Sequence, residues 1–396
     1  MVYEGARSII GPYLATLGAT ATVVGVVAGA GEFIGYGLRV VSGYLVQRGR
    51  HYWAWTITGY ALTVLSVPLI GTTNVIAPAL LLYGTERLGK AVRSPAKDTL
   101  LSHASAQTGR GSAFGVHQAM DQFGAMAGPL LLAAVLSQRA GDYRLAFGVL
   151  IVPGVLVIAL LFWLRHRVPD PLAYEVGAAA HEVQATAYEV EGPAAQAARE
   201  TSDLPKGSRA QERSGARIRL PPLLWQYVGA VALLSLGIAS FPLLAFHAQT
   251  QGLLTAAQVP VLFALAMLVD GLSGLLMGRV YDARGPRVLL VVPVAAAVAA
   301  VAFTHDATLV WVGVAVWGVV NGVLDSTVKA VVTELVGPAD RAIAFGWLAF
   351  VRGLGLLVAG AALGLAYDAS ITMVVWLILG ANAIALTVLA WVLARL

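Results

Sequence analysis

Long runs of apolar residues, separated by short polar stretches, occupy most of this 396-residue chain. A helix needs about 20 apolar residues to cross the roughly 30 Å hydrocarbon core of a bilayer. We assign the runs to helices because an open strand edge would leave backbone groups without partners in lipid. The pattern predicts an all-α membrane protein with twelve spans, near 2–18, 20–47, 52–72, 75–92, 112–136, 145–164, 223–247, 255–280, 287–304, 308–333, 343–367 and 371–394.

Composition supports the membrane assignment. Charged residues make up 12% of the chain, whereas a soluble globular domain carries about 25%. The 43 glycines suit close packing of membrane helices. The absence of cysteine excludes disulfides, thiolate metal sites and cysteine nucleophiles. We therefore expect neither a large soluble helical protein nor a metal site.

A polar stretch divides the predicted spans into two groups of six. It covers residues 165–222, is rich in Ala, Glu and Gln, and predicts a cytosolic linker. The predicted domains are a first six-helix bundle at 1–164, the linker, and a second six-helix bundle at 223–396. The linker is interpreted as a tether, with a regulatory binding segment as the alternative.

Basic residues cluster on one side of the predicted topology. The connections after even-numbered spans and the linker hold most of the Arg and Lys residues outside the spans, whereas the other side holds only Arg139 and Arg144. The positive-inside rule then predicts both termini in the cytoplasm, in an inner or plasma membrane. The net charge of +5 is thus explained by topology and by contact with anionic lipids, and no nucleic-acid partner is expected.

With Glu4 and Arg7 near its start, the first helix is expected to be an uncleaved insertion signal, or to follow a start further upstream.

Short motifs recur in the two halves. The stretch Arg110 to Gly115 has a counterpart in Arg341 to Gly346, and the segment around Gly43 resembles that around Gly278. Internal symmetry of this kind is typical of transporters built from repeats, whose solute site lies between the halves near mid-membrane.

Together these features resemble the major facilitator superfamily over essentially the whole chain. The resemblance implies two six-helix bundles related by pseudo-twofold symmetry, with conformational-switch loops after the second and eighth spans. The matching positions are Gly43, Gln47, Arg48, Gly278, Asp282 and Arg284. Gln47 stands where the family usually has Asp, so the first loop is expected to hold the outward-facing state more weakly.

The fifth predicted span contains Gly124, Gly128 and Pro129. Two glycines four residues apart leave a flat groove for helix packing, and proline permits a kink. The motif resembles that of antiporters in the superfamily and so favours export. Leu132 and Ala133 stand where two further glycines are usual.

Several ionisable residues fall inside predicted spans, where a charge costs about 2.5–3.5 kcal/mol and usually faces a cavity or a partner. The candidates for substrate binding or proton coupling are Glu32, Arg39, Arg87, Asp121, Asp270, Asp325 and Arg352. Since the resemblance implies that spans two, five, eight and eleven border the central cavity, Glu32, Asp121 and Asp270 are the proton-coupling carboxylates proposed. The alternative is interhelical ion pairing, for instance with Arg87 or Arg352. Two further pairs have i,i+4 spacing and could neutralise each other: Glu86 with Lys90, and Asp325 with Lys329.

No phosphate-binding loop, HExxH zinc motif or GxSxG elbow is present, so an ATP-driven pump or a soluble enzyme is not expected. The sequence instead predicts a monomeric secondary transporter without a bound cofactor. It would export a small organic or amphipathic solute by alternating access, driven by a proton gradient. The alternatives are a lipid translocase and a non-transporting sensor or scaffold that signals through the linker.

Overall fold

The computed structural model describes residues 1–49, 51–104, 110–170, 220–337 and 340–396. Regular structure in these ranges is entirely helical. The predicted all-α membrane fold is therefore confirmed, and each of the twelve predicted spans coincides with a helical segment.

The described residues of the first half form seven helices, because the sixth predicted span is divided at Leu150. The helices are α1 (Val2–Thr16), α2 (Ala21–Gly49), α3 (Tyr52–Ile70), α4 (Ile76–Ala104), α5 (Arg110–Gln138), α6 (Tyr143–Val149) and α7 (Ile151–Arg167).

Seven α-helices also occur in the part of the second half that the structure describes, since the seventh predicted span breaks after Leu236. The helices are α8 (Pro222–Leu236), α9 (Phe241–Thr250), α10 (Gln258–Arg284), α11 (Val291–Ala299), α12 (Ala307–Leu335), α13 (Arg341–Ala369) and α14 (Ile371–Leu393). Short 3₁₀ stretches, Gly285–Leu290 and Ala300–Phe303, flank α11. At the break, the Asn382 amide donates to the Gly237 carbonyl at 2.9 Å, which satisfies a buried backbone acceptor.

Nine helical stretches of the described residues are long and apolar enough to cross a membrane, and one of them, Gln258–Phe303, covers two predicted spans. The predicted spans at 2–18 and 75–92 are not among the nine. Helix α1 is only 15 residues long, and α4 carries several charged residues. Most of α1 is buried against neighbouring helices, and α4 turns its charged residues toward the protein interior and the cavity, so short length and charge are tolerated there.

Among the described residues, three helix pairs form the most extensive contacts between the halves. Helix α2 packs along α13, α5 along α10, and α1 along α9. At the α2–α13 contact the backbones touch: a Cβ atom added to Gly25 would overlap the Gly360 carbonyl oxygen, and the reverse also holds. Because glycine lacks a side chain, the two helices can approach this closely.

The outer surface is strongly apolar. Leu81, Phe123 and Trp376 are 74%, 74% and 70% exposed, and they belong to a larger set of exposed apolar side chains. A soluble monomer seldom exposes apolar surface on this scale. With the apolar spans, this surface identifies a multi-pass membrane protein.

Most of the predicted linker, residues 171–219, lies outside the described residues. Helix α7 ends at Arg167 and α8 begins at Pro222. The division into domains at 164 and 223 and the role of the linker stay predictions.

Candidate functional site

A cavity of about 770 Å³ lies between the two halves. This volume is within the usual range for small-molecule sites, about 300–1,000 Å³. Helices from both halves supply its charged wall, which includes Arg7, Glu32, Arg39, Lys90, Arg93, Lys97, Asp98, Asp121, Asp270, Asp325 and Lys329.

The cavity is displaced toward one end of the bundle. Its lining residues come from the beginning of α1, the second halves of α2 and α4, and the first half of α5. That end also carries the α2–α3 connection and both chain termini. Asp98 and Asp325 are more than half exposed, so the cavity communicates with solvent on this side. It is the side that the sequence predicts to be cytoplasmic.

The opposite end, here termed the closed end, is sealed by backbone contacts and by a cap. A Cβ at Gly11 would overlap the Pro242 carbonyl oxygen, as at Gly25 and Gly360. The Asp368 carboxylate of α13 accepts hydrogen bonds from the backbone amides of Ala21 and Thr22, each at 3.0 Å, and from the Thr22 hydroxyl. A carboxylate at a helix N-terminus satisfies free amides and complements the helix dipole. Asp368 therefore caps α2 across the two halves.

Removing this cap is expected to loosen the closed end. Asp368→Ala should cost the closed state about 0.5–2 kcal/mol, a shift of about 2- to 30-fold toward opening. The distance between spin labels at Asn74 and Gln251, on connections at that end, measures the shift. Asp306→Ala is the matched control because Asp306 caps α12 within one half, at Thr308 and Leu309. Equal label distances in the two variants would contradict a role for Asp368 in closure.

Glu32 forms ion pairs with two arginines from other helices. Its Oε1 lies 3.3 Å from Arg7 Nη2 and 3.4 Å from Arg87 Nη1. Arg7 also approaches Glu4 at 3.7 Å. Although Arg39 shares a helix with Glu32, the described residues show no ion pair between them. Glu32 is thus held in place by cations on α1 and α4.

Arg87 lies behind Glu32 rather than in the wall of the cavity. Its side chain is 1% exposed and does not line the cavity. It donates to the hydroxyls of Tyr3 at 2.7 Å and Tyr83 at 2.6 Å, and its Nε lies 3.1 Å from Glu86 Oε2. In this conformation Arg87 is enclosed by protein and pairs with Glu32, which is the interhelical ion pair named as the alternative, and its role in transport stays a prediction.

The predicted i,i+4 pairs do not form. Glu86 pairs with its neighbour Arg87, while Lys90 donates to the Tyr3 hydroxyl at 2.5 Å. Asp325 pairs with Arg352 of α13 at 3.3 Å rather than with Lys329. In both cases a third side chain approaches the carboxylate from a direction that helix spacing does not reveal. Arg352 itself lines a smaller pocket that adjoins the cavity beside Glu32.

Other cavity residues have no ion-pair partner among the described residues. The carboxylates of Asp270 and Asp121 form neither an ion pair nor a hydrogen bond there, although the Asp270 backbone carbonyl accepts from the Ser273 hydroxyl at 3.1 Å. The cations Arg39, Lys90 and Arg93, here termed the cation cluster, have no carboxylate within 4.0 Å in the described part of the chain.

The sequence missed Lys90 and Arg93 as cavity residues. The span predicted at 75–92 continues as α4 to Ala104, so Arg93 belongs to a helix rather than to a loop. Lys90, Arg93 and Lys97 follow one another at spacings of three and four residues, which places them on one helix face. That spacing is the feature of the sequence from which a charged helix face could have been predicted.

The switch positions lie near helix ends. Asp282 and Arg284 are exposed and form no ion pair among the described residues. Nearby, the Tyr281 hydroxyl donates to Glu334 at 2.6 Å. Gly278 has open space around it, Gly43 faces Pro95, and Arg48 is exposed. The side chain of Gln47 and those of the repeat at 110–115 lie outside the described residues.

Gly124 and Gly128 of α5 lie against the start of α1. A Cβ at Gly128 would overlap the Met1 carbonyl oxygen, and one at Gly124 would lie 3.2 Å from the Met1 nitrogen. Gly128 and Pro129 are both buried. In this conformation the groove therefore receives the beginning of α1, next to the cavity.

Comparison with known families gives a match to the model for the Major Facilitator Superfamily over residues 1–360. The chain belongs to this superfamily. It is 44% identical over 394 residues to an uncharacterized protein of Mycobacterium tuberculosis, covering 98% of this chain and 88% of that one. It is also 25% identical over 181 residues to an uncharacterized MFS-type transporter of Methanocaldococcus jannaschii, covering 45% of each.

Solved structures share the superfamily fold. The nucleoside transporter NupG matches with a TM-score of 0.72 at 12% identity, covering 99% of this chain and 96% of its own. The peptide transporter POT, in complex with sulfate, matches with a TM-score of 0.68 at 15% identity, covering 99% and 91%. At such identities the likeness concerns the fold alone. The chain is thus a membrane transporter of the superfamily type.

Proposed function

We propose that this superfamily member is a proton-coupled secondary transporter that exports a small organic solute by alternating access. The observation that carries the proposal is the charged cavity between the halves, accessible from one end and sealed at the other. A solute site at the interface between two repeats is what alternating access requires. Rocking of the halves would open the closed end and close the other.

Asp270 is the carboxylate proposed to take up the proton. It lines the cavity and is the half-buried acid there without a basic partner among the described residues. Glu32, by contrast, is held by Arg7 and Arg87, and Asp121 is exposed. The charged or titratable groups around Asp270 are Glu4 and Arg7 on α1, His117 and Asp121 on α5, Asp325 and Lys329 on α12, and Arg352 on α13.

The direction and orientation are proposed from the sequence. Export follows from the resemblance of the Gly124 to Pro129 motif to that of antiporters, and cytoplasmic termini follow from the positive-inside rule. With that orientation the accessible end of the cavity faces the cytoplasm. Solute would enter there, and a proton entering from the other side would drive its release.

Asp270→Asn is expected to abolish proton movement driven by solute. The measurement uses the full chain in liposomes with an imposed pH gradient and a pH-sensitive dye, across a panel of small organic solutes. Asp98→Asn is the matched control: it also removes a carboxylate from the cavity wall, but from a residue paired with Lys97 at 3.7 Å. Solute exchange without a gradient should survive in Asp270→Asn, which separates lost coupling from a lost fold. Unchanged proton movement in Asp270→Asn would contradict the assigned role.

A further inference from the structure

We propose that the transported solute is a small zwitterion whose carboxylate binds the cation cluster while its protonated amine faces Asp270. The inference rests on the proposed function and specifies its substrate class. It follows from the distribution of unpaired charges around the cavity.

The cation cluster lies on two neighbouring helices of the first half. Lys90 and Arg93 are three residues apart on α4, and α2, which carries Arg39, packs along α4. Arg39 lies within electrostatic range of Lys90. Like charges along one wall raise the electrostatic free energy of the empty site, and at Lys90 the carboxylates of Glu32 and Glu4 offset part of this repulsion. An anion bound among them would relieve this repulsion.

Two members of the cluster, Lys90 and Arg93, are positioned by neutral groups. The Lys90 ammonium lies 3.8 Å from the centre of the Tyr3 ring. The Arg93 guanidinium donates to the Thr63 hydroxyl at 2.9 Å and lies 4.4 Å from the centre of the Tyr60 ring. Arg39 Nε is buried and has no hydrogen-bond partner among the described residues. Hydroxyls and aromatic rings orient the cations without neutralising them, so their charge remains available to a ligand.

Asp270 supplies the opposite charge from the second half. A buried carboxylate without a cation is costly unless it binds a proton or a cationic ligand. An amine on the solute would therefore compete with the proton for Asp270. That competition is what antiport requires, because solute and proton must not occupy the site together. A simple anion would instead bind best when Asp270 is protonated, which is the behaviour of a symporter.

Binding to the purified full chain in detergent tests the inference. The probes are free amino acids of short chain, each compared with the alkanoate and the alkylamine of matching length. Binding raises the midpoint of thermal unfolding according to ligand concentration and affinity. We expect amino acids to bind at least about tenfold more tightly than either single-charge analogue, a difference of about 1.4 kcal/mol.

Charge-removing variants locate the two contacts. Lys90→Gln and Arg93→Gln should weaken amino-acid binding by about tenfold or more. Lys329→Gln is the matched control, since Lys329 lines the same cavity from the second half. Comparable weakening in Lys329→Gln would show a general electrostatic effect and overturn the assignment to the cluster. The probe series on the unmodified chain does not depend on whether any variant folds.

Different experimental results would contradict this substrate class and the proposed transport function. If no amino acid binds, or if alkylamines or alkanoates bind equally well, the substrate class is wrong. Proton-driven export of a solute with a single charge would also overturn it while leaving the transport function standing. Conversely, amino-acid binding without proton-driven movement would support the site and contradict the coupling.

Discussion

Arg87→Gln is expected to destabilise the protein by about 3–5 kcal/mol, the usual cost of removing one partner from a buried ion pair. The reason is Glu86, which is 1% exposed and has Arg87 as its ion-pair partner. Without the guanidinium, this carboxylate would remain buried beside apolar groups. The free energy of unfolding in detergent, from denaturant titration, measures the loss.

Two further variants test the origin of that loss. Arg93→Gln removes an arginine from the same helix that has no carboxylate within 4.0 Å among the described residues, so its effect should be clearly smaller. The double variant Arg87→Gln with Glu86→Gln should recover part of the stability, because no uncompensated carboxylate remains. A double variant less stable than Arg87→Gln alone would show that hydrogen bonds to Tyr3 and Tyr83 dominate instead.

Gly360→Ala is expected to shift the protein away from the conformation described here. The added Cβ would overlap the Gly25 carbonyl oxygen, so α2 and α13 must separate at the closed end. Overpacking of a close contact typically costs about 1–3 kcal/mol, which corresponds to a shift of about 5- to 150-fold in a two-state equilibrium. Transport should fall because the closed end no longer seals.

Spin labels at Asn74 and Gln251 again report the distance across that end. The chain contains no native cysteine, so both labels can be attached without removing other thiols. Gly380→Ala is the matched control because no atom lies within 4 Å of a Cβ added there. A label distance in Gly360→Ala equal to that in Gly380→Ala would mean that the helices absorb the methyl group without opening.

The sequence predicted the membrane fold because hydrophobic length is a direct physical requirement of the bilayer. It predicted less well where helices are buried inside the bundle. Helix α4 extends twelve residues beyond the predicted end at 92, to Ala104, since its later charges face the cavity and are not excluded by lipid. Hydropathy does not distinguish such a helix from a loop, and Arg93 was misplaced for that reason.

Pairing of charges was the part that the sequence could not supply. Helix spacing predicted Glu86 with Lys90, whereas the structure pairs Glu86 with Arg87 and directs Lys90 to Tyr3. The outcome depends on Tyr3, which arrives from α1 and is distant in sequence. Contacts between helices such as that of Asp368 with α2 are likewise set by packing and have no local signature.

Breaking the cap formed by Asp368 during transport leaves polar groups that water must hydrate. While the cap is intact, the carboxylate and the backbone amides of Ala21 and Thr22 satisfy one another. When the halves part at that end, each of these groups must be hydrated instead, because an unsatisfied polar group is costly. Opening is therefore accompanied by hydration of the Asp368 carboxylate and of the free amides at the mouth of α2.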